Sequence, residues 1–293
     1  MIRIFLYAMI KSLPKIGGHV SAAGGLVNAI KNAQRIGALC IQIFGASPRQ
    51  WLAKMPLEAD IATYQKALHE SKIGPVFLHA AYLVNLGSPS PDQQKKAIQS
   101  LTEHLQIVEK IGAQGLIFHL GSYNGTTREL ALEQTVMGMQ QVLKNVPGVA
   151  QLVMENSAGG GQKLGYEAKE VGELFERVKS PRVKVCIDTA HAFEAGIIES
   201  YTAANIQKFV DEWDAAVGIK NVVALHVNDS KSGPSSHHDR HENLGEGYIG
   251  LSGFRHLAGE KRLHDKAWIL EVPGFDENGP DARNIEILKS CFE

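Results

Sequence analysis

Eight short apolar runs, each followed by a longer helical pattern, constrain this 293-residue chain more than anything else in it. The runs are KIGGHV (15–20), CIQIFG (40–45), PVFLHA (75–80), GLIFHL (115–120), QLVMEN (151–156), VKVCID (183–188), VVALHV (222–227) and AWILEV (267–272). Each has the length of a strand buried on both faces of a parallel sheet. Helical patterns over 25–36, 58–71, 92–111, 127–145, 167–178, 202–213, 251–259 and 281–290 fill the gaps. Strict alternation requires a parallel sheet covered by helices. Eight units averaging about 35 residues predict a closed (β/α)8 TIM barrel, with an open doubly wound sheet as the alternative. No low-complexity linker divides the chain, so residues 15–293 read as one barrel domain.

Composition narrows the function classes. Lys+Arg 30 against Asp+Glu 31 leave a formal net charge of −1, and 44% of residues are hydrophobic, which excludes an intrinsically disordered chain. The neutral balance argues against nucleic-acid binding through a broad basic field, though a metal cluster or basic rim can supply a local one. Three cysteines with no C-x-x-C pair exclude a disulfide scaffold and predict a reduced, cytoplasmic setting. Cys40 and Cys186 sit in apolar runs and are expected in the core. The opening MIRIFLYAMI is apolar for only about ten residues, too short to span a bilayer. Residues 1–14 read as an unstructured extension or a mis-called start, with Met9 as the alternative start. No membrane association is expected, and a monomer is the default.

The strand ends carry the chemistry. In a TIM barrel the functional face is the carboxyl end of the strands. Three loops at that face are longer than joining requires: 46–57, 156–166 and 228–250. The third to eighth strands end at or one step from His79, His119, Glu155, Asp188, His226 and Glu271. One such residue would usually be a solvated loop group. Six converging on one axis, with no metal, would mean clustered carboxylates that repel one another and lose hydration. Imidazole with carboxylate suits Zn, Fe or Mn better than Ca or Mg. Asp188-Thr-Ala-His191 adds an imidazole one turn on, and DRH adds Asp239 and His241, which can clasp an ion that His191 closes. Five histidines and four carboxylates suffice for three metals if a carboxylate bridges. Three divalent ions over four carboxylates leave about +2, which suits a phosphodiester. His237 and His238 flank the same loop, and His19 ends the first strand; the sequence leaves their roles open. His69, His104, His256 and His264 fall in helical segments and are expected on the solvated surface.

At these residues the chain resembles the endonuclease IV family of apurinic/apyrimidinic endonucleases, from Lys15 onward. The motifs are HVSAAGG (19–25), PRQW (48–51), LHAAYLVNLGSP (78–89), FHLGS (118–122), MENSAGGG (154–161), CIDTAHAF (186–193), LHVNDSK (225–231), DRHENLGEG (239–247) and ILEVPG (269–274). CIDTAHAF and DRHENLGEG are the most specific. The resemblance implies a TIM barrel with three zinc ions, with Mn or Fe admitted in one position. It implies that His79 and His119 hold one zinc, and that Glu155 bridges it to a second completed by Asp188, His226 and Glu271. His191, Asp239 and His241 hold the third. It implies a deoxyribonuclease IV-type hydrolase in base excision repair, which cuts duplex DNA 5′ to abasic sites. The expected nucleophile is a metal-bridging hydroxide oriented by Glu155, and the products are 3′-hydroxyl and 5′-deoxyribose phosphate ends. Where the family often has a polar Asp-Ser step after the first ligand histidine, this chain has Ala80-Ala81, which questions the local hydrogen bonding.

An abasic nucleotide lacks stacking and is cheap to flip out. By resemblance, Arg49, Gln50 and Trp51 form the wedge into the gap, with Tyr82 and Leu83 beside it. Trp51 could equally be a core residue. Lys231 and Arg240 are candidate phosphate contacts. The competing readings are a xylose-isomerase-like sugar isomerase or epimerase with one or two metals, and a zinc-holding protein that binds damage without turnover. An isomerase needs neither the third-metal motif nor the wedge.

Overall fold

The eight apolar runs form eight parallel strands that close on themselves. They are β1 (Lys15–His19), β2 (Cys40–Phe44), β3 (Val76–His79), β4 (Gly115–His119), β5 (Gln151–Glu155), β6 (Val183–Asp188), β7 (Val222–His226) and β8 (Ala267–Leu270). Each pairs with its sequence neighbours, and β8 closes on β1 with Lys15 opposite Ala267, so the open-sheet alternative is excluded. This computed structural model describes residues 13–47 and 50–293. The expected extension, 1–14, therefore lies almost wholly outside the described residues.

Alternation along the strands sorts two cores. Ile41, Ile43, Leu78, Leu116, Phe118, Leu152, Met154, Val185, Ile187, Leu225, Trp268 and Leu270 point outward and pack under the helices. Cys40, Phe77, Ile117, Val153, Cys186, Ala224, Ala267 and Ile269 point inward and fill the barrel as a separate cluster. Side chains two residues apart share a face. Going two residues on from Phe77, Ile117, Val153, Cys186, Ala224 and Ile269 leads to His79, His119, Glu155, Asp188, His226 and Glu271. The polar ring is therefore the last layer of the barrel interior, seated on a dry floor. At Gly17 the β1 and β2 backbones come so close that a Cβ would lie 1.7 Å from the Cys40 carbonyl oxygen.

The helices start and stop where local chemistry dictates. In α3 (Pro91–Ile111), Ser90 caps by accepting from Gln93 N, Pro91 fills the first turn, and Gly112 ends it in the left-handed region at φ 74°. Thr127, Thr202 and Asp281 cap α4 (Arg128–Asn145), α7 (Ala203–Val217) and α9 (Ala282–Ser290) in the same way. The others are α1 (Leu26–Ile36), α2 (Glu58–Ser71), α5 (Ala168–Val178) and α8 (Gly250–Ala258).

Three features depart from expectation. Helix α7 runs one turn past residue 213, because Trp213 and Val217 are both buried and extend its apolar face. A short helix, α6 (Thr189–Glu194), follows β6 directly, since Asp188 caps it by accepting from His191 N at 2.8 Å. His104 is buried, not solvated: it lies on the inner face of α3 beside Leu101 and Leu105, where its Nδ1 bonds the Ser100 carbonyl at 2.7 Å. His69 and His256 are exposed as expected, and His264 is half-buried. Cys40 and Cys186 are core residues. Among the described residues no helix is long and apolar enough to cross a membrane.

Candidate metal centre

Each ring residue ends a strand or follows one, so backbone pairing fixes its position. His119 lies opposite Glu155 and Asp188 opposite His226 in the parallel registers. The side chains fall into three groups able to hold a metal ion: His79, His119 and Glu155; then Glu155, Asp188, His226 and Glu271; then Asp188, His191 and His241. In the first, Glu155 Oε2 is 3.1 Å from Nε2 of both His79 and His119. In the second, His226 Nδ1 is 2.9 Å from Glu155 Oε1, 3.1 Å from Glu271 Oε2 and 3.8 Å from Asp188 Oδ2. In the third, His241 Nε2 is 3.6 Å from Asp188 Oδ2. Asp239 stands at the rim of this group, 3.3 Å from His191 Nε2 and 3.6 Å from His241 Nε2. Glu155 belongs to the first and second groups and Asp188 to the second and third, so the three form one continuous chain.

Polar neighbours hold the set. Asn228 donates to Asp188 Oδ2 at 2.7 Å and accepts from Glu271 N at 2.7 Å. Asn156 accepts from Asp188 N at 2.6 Å, and its carbonyl bonds His191 Nδ1 at 2.8 Å. His79 Nδ1 bonds the Ala80 carbonyl at 2.8 Å. That contact is to backbone, so the Ala80-Ala81 departure costs this histidine nothing in orientation. Gln42, wholly buried, bridges Glu271 and His226.

The buried carboxylates and imidazoles stabilise one another's charged forms. Burial opposes ionisation of Glu155, yet His226 and His119 outweigh it and hold its carboxyl well below the usual range. The same contest, won by His226 and His19, lowers Glu271. Burial likewise opposes the His191 cation, and Asp188 and Asp239 overcome it and raise the imidazole. Two buried imidazole nitrogens, Nε2 of His191 and of His241, make no hydrogen bond although both face carboxylates. Buried polar atoms are rarely left so. A bound cation would satisfy both, and a nitrogen-and-oxygen donor set fits Zn, Mn or Fe.

The remaining expected residues are less tightly gathered. His19 lies outside the three groups, with Nδ1 3.2 Å from Glu271 Oε1 and 2.9 Å from Gln42 Nε2. His237 bridges to the Ala158 carbonyl at 3.3 Å, and His238 is exposed. Tyr82 is 63% exposed at the mouth, its ring 6.0 Å from His79, 6.1 Å from His119 and 5.7 Å from Phe44. Leu83 is exposed beside it. Gln50 is exposed, whereas Trp51 is half-buried and packs on the core. Arg49 lies outside the described residues. Lys231 and Arg240 are exposed on the long loop. A cavity of about 480 Å³ touches His119, His191, Asp239 and Tyr82. A larger groove of about 740 Å³, between α5 and α7, contains no histidine and lies away from this chemistry.

Residues missed by sequence reasoning are amides: Gln42, Asn156 and Asn228. Gln42 had a signal, being the polar residue at an inward position of an otherwise apolar β2. The asparagines lay inside the motifs MENSAGGG and LHVNDSK, but just past the strand ends no periodicity marked their roles.

The family model for the xylose isomerase-like TIM barrel matches residues 30–291. The "Probable endonuclease 4" of Solibacter usitatus is 35% identical over 280 residues, covering 94% of this chain and 96% of its own. That of Campylobacter hominis is 37% identical over 287 residues, covering 96% and 99%. The chain belongs to the endonuclease IV family. As a member of that family it superposes on the crystal structure of endonuclease IV from Thermus thermophilus with a TM-score of 0.84 at 32% identity, over 95% of this chain and 98% of that one. A D-tagatose 3-epimerase-like protein, 15% identical with a TM-score of 0.71 over 94% and 96%, shares the fold alone.

Proposed function

We propose that this protein hydrolyses the phosphodiester on the 5′ side of abasic sites in duplex DNA, leaving 3′-hydroxyl and 5′-deoxyribose phosphate ends. Membership of the endonuclease IV family makes it an apurinic/apyrimidinic endonuclease. The observation that carries the finer reading is the continuous chain of three donor groups joined through Glu155 and Asp188. A sugar isomerase or epimerase with one or two metals has no use for a third group.

In this reading His79, His119 and Glu155 hold one ion. Glu155, Asp188, His226 and Glu271 hold a second. His191, Asp239 and His241 hold the third, with Asp188 alongside. Zinc is the favoured ion, and manganese or iron is admitted in one position. Divalent ions held there lower the pKa of water and neutralise phosphoryl charge. Glu155 offers one oxygen to each of two groups, so it orients both and is the catalytic residue. Tyr82 and Leu83, exposed at the mouth, enter the gap left by the missing base. Gln50 joins them from the neighbouring loop, Arg49 and Trp51 are assigned to the same wedge by resemblance alone, and Lys231 and Arg240 meet phosphates.

The test is incision of a duplex carrying one abasic-site analogue beside an undamaged control, with metal content measured on the same preparation. The expected result is cutting of the damaged strand alone, 5′ to the lesion, at about three zinc ions per chain. Absence of cutting at full metal loading would overturn the reading, as would one metal per chain with turnover of a sugar.

A further inference from the structure

The third donor group is assembled from two separate segments. His191 comes from α6, whereas Asp239 and His241 come from the long loop after β7. These segments meet at the last residue of α6. Glu194 is wholly buried, and its Oε1 accepts from the Ser230 hydroxyl at 2.6 Å and from the backbone N–H of Arg240 at 3.1 Å. Arg240 is the residue between Asp239 and His241. The Glu194 carbonyl also accepts from His237 N at 2.9 Å, just before that pair. Ser230 in turn lies opposite His241 in the short antiparallel pairing of Asp229–Ser230 with His241–Glu242.

One side chain and its own carbonyl therefore grip the loop just ahead of the donor residues and between them. A carboxylate is an expensive choice for such a place: Glu194 Oε2 is buried and bonds nothing. A leucine would fill the volume without that cost, and would leave the Arg240 N–H and the Ser230 hydroxyl without this acceptor.

Taking the centre to hold three ions, as proposed above, we propose that Glu194 is a positioning residue that holds Asp239 and His241 against His191 and so sets occupancy of the third group. It touches neither metal nor substrate. Its effect passes through the Arg240 amide and the Ser230 hydroxyl. Outer partners of this kind are commonly worth ten- to a hundredfold in metal affinity.

The test compares wild type, Glu194→Leu, Glu194→Gln and Ser230→Ala by chelator competition with zinc, alongside incision at rising free zinc. Wild type should bind three zinc ions. Glu194→Leu should keep two and hold the third about tenfold or more weakly. Its kcat should fall and recover as free zinc rises, which a merely structural defect would not do. Glu194→Gln keeps an acceptor oxygen and should rescue the third site. Ser230→Ala removes one of the two contacts and should weaken the third ion to a lesser degree; it decides the matter if the leucine variant does not fold. Three zinc ions held at wild-type affinity in folded Glu194→Leu, or in Ser230→Ala where the leucine variant does not fold, would overturn the assignment. Fewer than three in wild type would instead overturn the three-ion reading itself.

Discussion

Gln42 Oε1 lies 2.8 Å from Nε2 of His226, and this contact decides which ring nitrogen faces the metal centre. The amide nitrogen of Gln42 donates to Glu271 Oε1, so its oxygen must be the atom turned to His226. An acceptor there requires a proton on Nε2, which leaves Nδ1 to face Glu155, Asp188 and Glu271. Replacing Gln42 with Leu should weaken binding at the second group by ten- to about a hundredfold. Chelator competition checks this, with thermal melting to show that the barrel persists. Unchanged affinity would mean that packing alone orients His226.

Glu155 is the side chain whose loss should matter most to turnover. It touches four histidines, three of them on strands and His191 on α6, and joins two donor groups. Glu155→Gln keeps the shape and removes the charge. Single-turnover incision should fall by at least about a thousandfold. The Glu155→Ala variant should also abolish cutting, and full activity in either would remove Glu155 from the mechanism.

Proton release should accompany metal loading. Without metal, burial disfavours the His191 cation, but Asp188 and Asp239 raise its pKa well above 6.5. Burial likewise works against the His226 cation, and the carboxylates of Glu271 and Glu155 raise it. A raised imidazole holds its extra proton more tightly, and a metal must displace that proton. Affinity should fall as pH falls, and calorimetry in buffers of different ionisation enthalpy should register protons released per chain. Binding with no buffer dependence would contradict these raised imidazoles.

Much of this was legible in the sequence, for a physical reason. Strand length and β-branched composition mark each buried strand locally, and the inward period of two carries the eye from Phe77 to His79 or from Val153 to Glu155. What was not legible depends on contacts between distant segments. The burial of His104 follows from which face of α3 turns inward. Helix α6 is too short to show a period and exists because Asp188 caps it. Sharing of Asp188 between two groups appears only when the loop after β7 brings His241 within 3.6 Å.

The barrel floor has one position with no room at all. At Gly17 a Cβ would meet the backbone carbonyl of Cys40, not a side chain that can swing away. Gly17→Ala should therefore push β1 from β2 and destabilise the fold by about 3 kcal/mol or more. Urea unfolding checks it, and a loss below about 0.5 kcal/mol would show that the strands separate easily.

Damage recognition should separate cleanly from metal binding at Tyr82. Its ring stands at the mouth, edge-on to Phe44, and no donor group depends on it. An aromatic face there can take the place of the missing base's stacking, and such contacts are worth about 1–3 kcal/mol by alanine substitution. Tyr82→Ala should leave zinc content unchanged while weakening binding of abasic duplex by roughly five- to a hundredfold or more. Binding of undamaged duplex, which offers no gap, should change little. Tyr82→Phe should keep most of the preference if the ring rather than the hydroxyl is what acts. Equal losses on damaged and undamaged DNA would make Tyr82 a general backbone contact and leave the wedge to Leu83 and the loop carrying Gln50 and Trp51.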